Sequence, residues 1–214
     1  MSKKQTSVVH DTIIITVITV AAGLLLGAVH GVTAGPIAAQ EASEKAASQK
    51  EVFENADSFK TVSDFDQSDF QSYLDKAGLD KTSVSDISEA DDQNGNKLGY
   101  VVDATNNEGY GGAIELMVGV TADESGSLTI NGIFFLSISE TAGMGMKAEN
   151  DEFKNQFNNL SLGDNTEIEY TKTGKSADNQ IDAISGCTVT TNAVTKAVNG
   201  ALAAVEYLEG GSAS

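Results

Sequence analysis

Asp182-Ala183-Ile184-Ser185-Gly186-Cys187-Thr188-Val189-Thr190 runs straight into a stretch in which Ala193, Val194, Ala197, Val198, Ala201, Leu202 and Val205 recur at helical spacing. Val189 begins that apolar series and Lys196, Asn199 and Glu206 occupy the other face, so the spacing predicts one amphipathic helix. Gly210 and Gly211 end it. Ser185, Thr188, Thr190 and Thr191 gather hydroxyls at the opening turn. There, unpaired backbone N–H groups and the positive end of the helix dipole favour a phosphate. By spacing alone the run also reads as an ordinary Ser/Thr-rich N-cap.

Upstream the period changes. From about Thr82 to Glu140 the apolar runs are Tyr100-Val101-Val102, Ile114 to Val120 and Leu128 to Ile138. Asn94-Gly95, Gly109 to Gly112 and Ser125-Gly126 break them, which predicts strands joined by tight turns. A short helix from Asn150 to Phe157 and a strand around Glu167 to Thr171 follow. Before the strands, Phe70, Tyr73, Leu74 and Leu79 predict a short amphipathic helix within Asp66 to Leu79, the start of the globular domain. Strands first and helices late predict an α+β fold with a mainly antiparallel sheet.

Residues 12–34 contain no Asp, Glu, Lys or Arg. As a helix they span about 34 Å, enough for a bilayer core of about 30 Å. Lys3 and Lys4 precede the span and the flank after it is acidic. The positive-inside rule therefore leaves a short cytoplasmic N-terminus and puts the rest outside. A cleaved signal peptide is the alternative, with a cleavage site within Ala34 to Ala39, but the length of the apolar run favours a retained anchor. The resulting plan is a cytoplasmic N-terminus over 1–11, a transmembrane helix over 12–34, a stalk or linker over 35–65, a domain over 66–210 and a tail over 211–214. Within the linker, Ile37 to about Phe59 reads as an exposed helix.

Composition excludes several functions. The net charge is −18, and residues 1–11 carry +1, leaving −19 for the remainder. Such acidity excludes a nucleic-acid partner, which needs a basic footprint. It also leaves membrane contact to the one apolar helix, since anionic headgroups repel the rest. The only histidines are His10 and His30, and the chain has no arginine, no tryptophan and one cysteine, Cys187. Ser-His-Asp and Cys-His nucleophilic sites are ruled out for the external part, as are histidine- and cysteine-based metal centres. Carboxylate pairs remain available, although the acidic residues are scattered. Chemistry in such a domain is best borrowed from a cofactor.

The run Asp182-x-x-Ser185-Gly186-Cys187-Thr188-x-Thr190 resembles the flavinylation motif of the FMN-binding subunits of Rnf and Nqr redox complexes. In that family the last threonine carries FMN through a phosphoester bond, which here makes Thr190 the acceptor. Cys187 stands where the family usually has Ala; both are small, so Cys187 reads as a packing residue, with a reactive thiol as the sharper alternative. Two further stretches strengthen the resemblance. Gly109-Tyr110-Gly111-Gly112 resembles the family's Gly-Tyr-Gly-Gly segment, and Glu140-Thr141-Ala142-Gly143-Met144-Gly145 resembles Glu-Thr-Pro-Gly-Leu-Gly, with Ala142 for Pro and Met144 for Leu.

The resemblance implies the following roles. Ser185, Gly186, Thr188 and Thr191 surround the flavin phosphate, and Lys147 or Lys175 neutralises it. Glu140, Thr141, Gly143, Met144 and Gly145 line the isoalloxazine, with Tyr110 at its edge. Asp182 serves recognition by a flavin transferase or simply the turn. The implied function is electron relay within an Rnf-type ferredoxin:NAD+ oxidoreductase coupled to Na+ or H+ translocation. The other membrane and peripheral subunits are its partners, and no complete activity resides in this chain alone. Ferredoxin and NAD would not touch the domain, which lies on the other side of the membrane. The alternatives are the C subunit of the Na+-pumping quinone reductase, a free-standing anchored flavoprotein, and a flavin-free adhesion or scaffold module.

Overall fold

The computed structural model describes residues 3–63 and 65–210. The expected tail over 211–214, with Gly211, lies outside the described residues. The chain divides into two compact units at Lys45/Ala46.

Helix α1 (Lys3–Val52) supplies the first unit with its residues up to Lys45 and runs on into the second. Its segment His10–Thr33 is long and apolar enough to cross a membrane, close to the 12–34 span read from the sequence. The hydroxyls of Thr16 and Thr19 donate to the carbonyls of Thr12 and Ile15, each at 2.8 Å. Polar side chains within an apolar span are thus satisfied by their own helix, as a hydrocarbon surrounding demands.

The second unit begins at Ala46, well before the expected boundary at 66, because part of the stretch read as an exposed linker is built into its core. Val52, Phe53 and Ala56 are buried. Strand β1 (Ser58–Thr61) then pairs antiparallel with β2, Thr82–Asp91. Between them, helix α2 (Gln67–Lys76) is capped by Asp66, whose carboxylate accepts from the amides of Ser68 and Asp69. Phe70 and Leu74 on α2 are buried, as the spacing predicted.

The sheet continues through β3 (Lys97–Asn106), β4 (Ile114–Ala122), β5 (Leu128–Ile138) and β6 (Leu160–Ser161) in simple sequence order, every pairing antiparallel. The fold is therefore α+β. The expected helix over 150–157 is irregular: 3-10 turns at Gly145–Glu149 and Asn155–Phe157 flank a single α-helical turn α3, Asp151–Lys154. Strand β7 (Glu169–Thr171) forms a small parallel pair with β8 (Gln180–Asp182), and α4 (Thr188–Leu208) closes the fold.

Both faces of the sheet are covered. Tyr100, Val102, Ala104, Leu116, Val118 and Val120 pack with Ala193, Val194, Ala197, Val198, Ala201 and Leu202 of α4. On the opposite face Val101 and Met117 pack with Val52, Phe53, Ala56 and Ala90. Double coverage explains why these strands read as continuous apolar runs and not as alternating ones. At roughly 1.5–3 kcal/mol per large apolar side chain fully buried, this two-sided core is the main source of stability.

Two positions on α4 depart from the sequence reading. Val189, placed on the apolar face, is 49% exposed. Asn199, placed on the solvent face, is buried; its side chain accepts from the Ile168 amide at 2.9 Å and donates to the Ile168 carbonyl at 3.1 Å. The helix presents this amide to the buried backbone just ahead of β7, a polar need that hydrophobic periodicity does not register.

Candidate functional site

The turn that launches α4 is built by main chain and one threonine. Gly186 takes φ +76°, a left-handed conformation that suits glycine. The Cys187 amide donates to the Ile184 carbonyl at 3.0 Å. Cys187 precedes the helix with no side-chain cap, and its thiol is buried in the core cluster, which fits the packing reading. Thr191 clasps the turn: its hydroxyl accepts from the Ile184 amide at 3.1 Å and donates to the Cys187 carbonyl at 3.0 Å. That buried hydroxyl spends its proton and a lone pair internally, so Thr191 has no proton left to donate to a phosphate.

The first main-chain bond of the helix runs from the Thr191 amide to the Cys187 carbonyl. The amides of Thr188, Val189 and Thr190 precede it and have no intrahelical acceptor. Thr190 itself is 2% exposed. Among the described residues its hydroxyl has no hydrogen-bond partner. What covers it is the loop after β5. A Cβ built on Gly145 would lie 2.6 Å from Glu140 Oε2 and 2.8 Å from Thr190 Oγ1, so only a glycine lets this loop seat.

The same loop meets the glycine-rich one after β3. The Tyr110 amide donates to Glu140 Oε1 at 2.8 Å. The backbone of Gly111 lies so close to the Ser139 carbonyl that a side chain there would collide with it. Three segments far apart in sequence therefore converge: Gly109–Gly112, Glu140–Gly145 and the start of α4.

Beside them lies a cavity of about 430 Å³ lined by Lys147, Asn150, Phe153, Gln156, Asp182 and Ser185, among others. Gln156 fixes its wall, accepting from the Asp182 amide at 2.6 Å and donating to the Asp182 carbonyl at 3.3 Å. The expected site residues thus fall into two adjoining groups. Tyr110, Glu140, Gly145 and Thr190 gather at one point, while Lys147, Asp182 and Ser185 line the cavity. Thr141, Gly143 and Met144 sit on the loop between them and are exposed, and Thr188 is half-buried. Lys175 instead lines a separate hollow with Asn155, Asn158 and Asp178, which leaves Lys147 as the lysine on the cavity wall.

In the second unit, the large apolar side chains left exposed are Tyr110 at 76%, Met144 at 52%, Val189 and Leu136. Three of the four come from the converging segments. Exposed aromatic and aliphatic groups beside a polar cavity suit a planar, partly apolar ligand. The sequence reading missed Asn150 and Gln156, which carry no motif. It also missed the pair Lys196–Glu108, where the ammonium lies 2.5 Å from the carboxylate across 88 positions of chain.

Residues 109–203 match the FMN-binding domain family, a range that contains all three converging segments. Over nearly the whole chain, the G subunit of the ion-translocating oxidoreductase complex of Methanosarcina acetivorans is 31% identical across 209 residues, 98% of each chain. The G subunit of the Na(+)-translocating ferredoxin:NAD(+) oxidoreductase complex of Acetobacterium woodii is 30% identical over 87% of this chain and 86% of that one. The crystal structure of Shewanella oneidensis NqrC overlaps 58% of this chain and 61% of that one, with TM-score 0.47 and 20% identity. By its full-length likeness to such relatives, this chain belongs to the family of G subunits of ion-translocating oxidoreductase complexes, with an FMN-binding domain over residues 109–203.

Proposed function

We propose that this chain is the electron-transfer subunit of an Rnf-type ferredoxin:NAD+ oxidoreductase coupled to Na+ or H+ translocation, carrying FMN as a phosphoester on Thr190. One observation carries the reading: the loop Glu140–Gly145 meets the Gly109–Gly112 loop through Glu140 and the Thr190 hydroxyl at the start of α4 through Gly145. FMN, when bound, supplies one- and two-electron redox chemistry that none of the chain's own side chains provides.

The residues fit that group. Amides of Thr188, Val189 and Thr190 at the start of α4 are free to bind a phosphate, and Ser185 and Thr188 add hydroxyls. Lys147 supplies the positive charge, a role that falls to lysine in a chain without arginine. Tyr110, Thr141 and Met144 offer exposed surface to the isoalloxazine. Asp182 is presented on the surface for a flavin transferase, with Gly186 and Cys187 shaping the turn that the enzyme must approach.

The α1 segment His10–Thr33 anchors the chain in the lipid of the cell membrane. Lys3 and Lys4 before it favour a cytoplasmic N-terminus and an extracytoplasmic domain. Electrons then pass to and from neighbouring membrane subunits of the complex, because soluble ferredoxin and NAD lie on the opposite side.

The test is direct. The full chain, co-expressed with a flavin transferase, is denatured and digested. A flavin absorbance that survives denaturation, and a single FMN phosphoester on the peptide containing Thr190, is the expected result. A colourless protein under those conditions overturns the reading.

A further inference from the structure

Tyr110 presents a contradiction between its backbone and its ring. The loop that carries it is bonded from two directions. On one side the Tyr110 amide donates to Glu140 Oε1 at 2.8 Å. On the other, Glu108 pairs with Lys196 of α4, six residues beyond Thr190 on the same helix. Glu108 is itself fixed at its amide, which donates to Asn106 Oδ1 at 2.9 Å, and the buried Asn106 side chain donates to Thr82 Oγ1 at 2.9 Å. A loop held this firmly nonetheless leaves its aromatic ring 76% exposed. The ring contributes little to the fold, so the anchoring serves where the ring stands.

The contacts form a chain. It leaves α4 at Lys196, passes through Glu108 to the Tyr110 backbone, and ends at Glu140, whose side chain lies beside Gly145 as the Thr190 hydroxyl does. The ion pair to α4 and the hydrogen bond to Glu140 therefore hold the glycine-rich loop at two points near the helix start. Partly exposed ion pairs contribute little to global stability. A long-range pair at this place matters through what it positions.

We propose that the Lys196–Glu108 ion pair is a positioning device that holds the Tyr110 ring in contact with a flavin carried on Thr190. Neither residue touches the cofactor in this arrangement; both act through the loop. The inference rests on the flavin reading above and adds to it the residues that set the geometry of the aromatic contact.

The experiment uses the full chain in detergent, flavinylated by co-expression with a flavin transferase, and reads the fluorescence of the covalent flavin. A tyrosine ring in contact with an isoalloxazine quenches that fluorescence by electron transfer, so the unsubstituted protein is dim. Tyr110→Phe brightens it at least twofold. Lys196→Met and Glu108→Gln brighten it similarly, with thermal midpoints close to the parent. Lys196→Arg and the swapped pair Glu108→Lys with Lys196→Glu stay dim, because the tether is restored. Lys196→Met as dim as the parent, alongside a bright Tyr110→Phe, overturns the proposal. A dim Tyr110→Phe overturns it too, by removing the ring from the flavin. Absence of flavin from the Thr190 peptide of the unsubstituted chain overturns the flavin reading and the proposal together, a result distinct from the other two.

Discussion

Glu140 and Thr190 are kept apart by a single glycine: a Cβ on Gly145 would lie 2.6 Å from the carboxylate Oε2 of one and 2.8 Å from the hydroxyl of the other. The two side chains are remote in sequence, and the loop after β5 brings them to one point. Thr190 is therefore largely buried by its own domain, and its surroundings can be probed one substitution at a time.

Thr190→Ala removes the hydroxyl and one buried methyl group. Thr190 makes no side-chain hydrogen bond among the described residues, so the substitution should cost about 1 kcal/mol, the worth of the buried methyl. In-gel flavin fluorescence should vanish while the thermal transition stays cooperative. Fluorescence retained in Thr190→Ala would move the attachment point to Ser185 or Thr188, since the Thr191 hydroxyl is engaged inside the turn.

Gly145→Ala tests the close approach. The added methyl group has no room beside Glu140 and Thr190, and relieving such overlap costs roughly 1–3 kcal/mol. For a domain of this size that is a fall of about 2–4 °C in Tm per kcal/mol. Flavin loading should fall as well, because the loop is pushed off the helix start. A variant with the parent's Tm and full loading contradicts the geometry.

Thr191→Val should destabilise more than Thr190→Ala although it is isosteric. The Ile184 amide would be left buried without an acceptor, a loss of about 1–3 kcal/mol. Thr191→Ser, which keeps the oxygen, should recover most of it. Urea midpoints of the three variants rank the two hydroxyls by structural role.

Cys187→Ala should flavinylate fully and transfer electrons at the parental rate, because the buried thiol acts as a small packing group. Cys187→Phe should fail to load, since overpacking the turn costs roughly 1–3 kcal/mol and displaces the helix start. Loss of electron transfer with retained flavin in Cys187→Ala would instead assign the thiol a redox role.

The far end of α4 carries a pH-dependent latch. Glu209 accepts from Lys97 at 2.5 Å and from the Tyr100 hydroxyl at 2.9 Å. The hydrogen bond from Lys97 holds the Glu209 carboxyl below its ordinary value of 4.5, against the opposing effect of burial. The same bond raises Lys97 above its ordinary 10.5. A carboxylate depressed in the folded state stabilises above its unfolded value and loses that contribution as pH falls through the folded one. A raised lysine stabilises below its unfolded value and loses the contribution as pH rises through the folded one. The latch is therefore complete between about pH 4.5 and pH 10.5 and fails outside that window. Glu209→Gln should lower the urea midpoint across the plateau, and its difference from the parent should shrink on acidification below pH 4.5. A difference that stays constant through strong acid refutes the latch.

Local order along the chain dictated the kinds of element and the place of the turn that opens α4. Helical spacing in Ala193 to Val205 and the apolar runs of β3, β4 and β5 are local signals, set by the periods of helix and strand, and the structure keeps them. The span His10–Thr33 is equally local, since apolar length alone defines it. Packing between elements chose which faces were used. Asn199 turned inward because buried backbone at Ile168 required an amide, and Val189 was left outward at the exposed helix start. Residues 46–61, polar enough to read as a linker, joined the domain because Val52, Phe53 and Ala56 cover the second face of a sheet that no single strand reveals. The convergence of Glu140, Gly145 and Thr190, and the pairing of Glu108 with Lys196, likewise arise only when the meander and α4 are packed together. Contacts between distant segments depend on the register and packing of whole elements, and periodicity within any one segment carries no record of them.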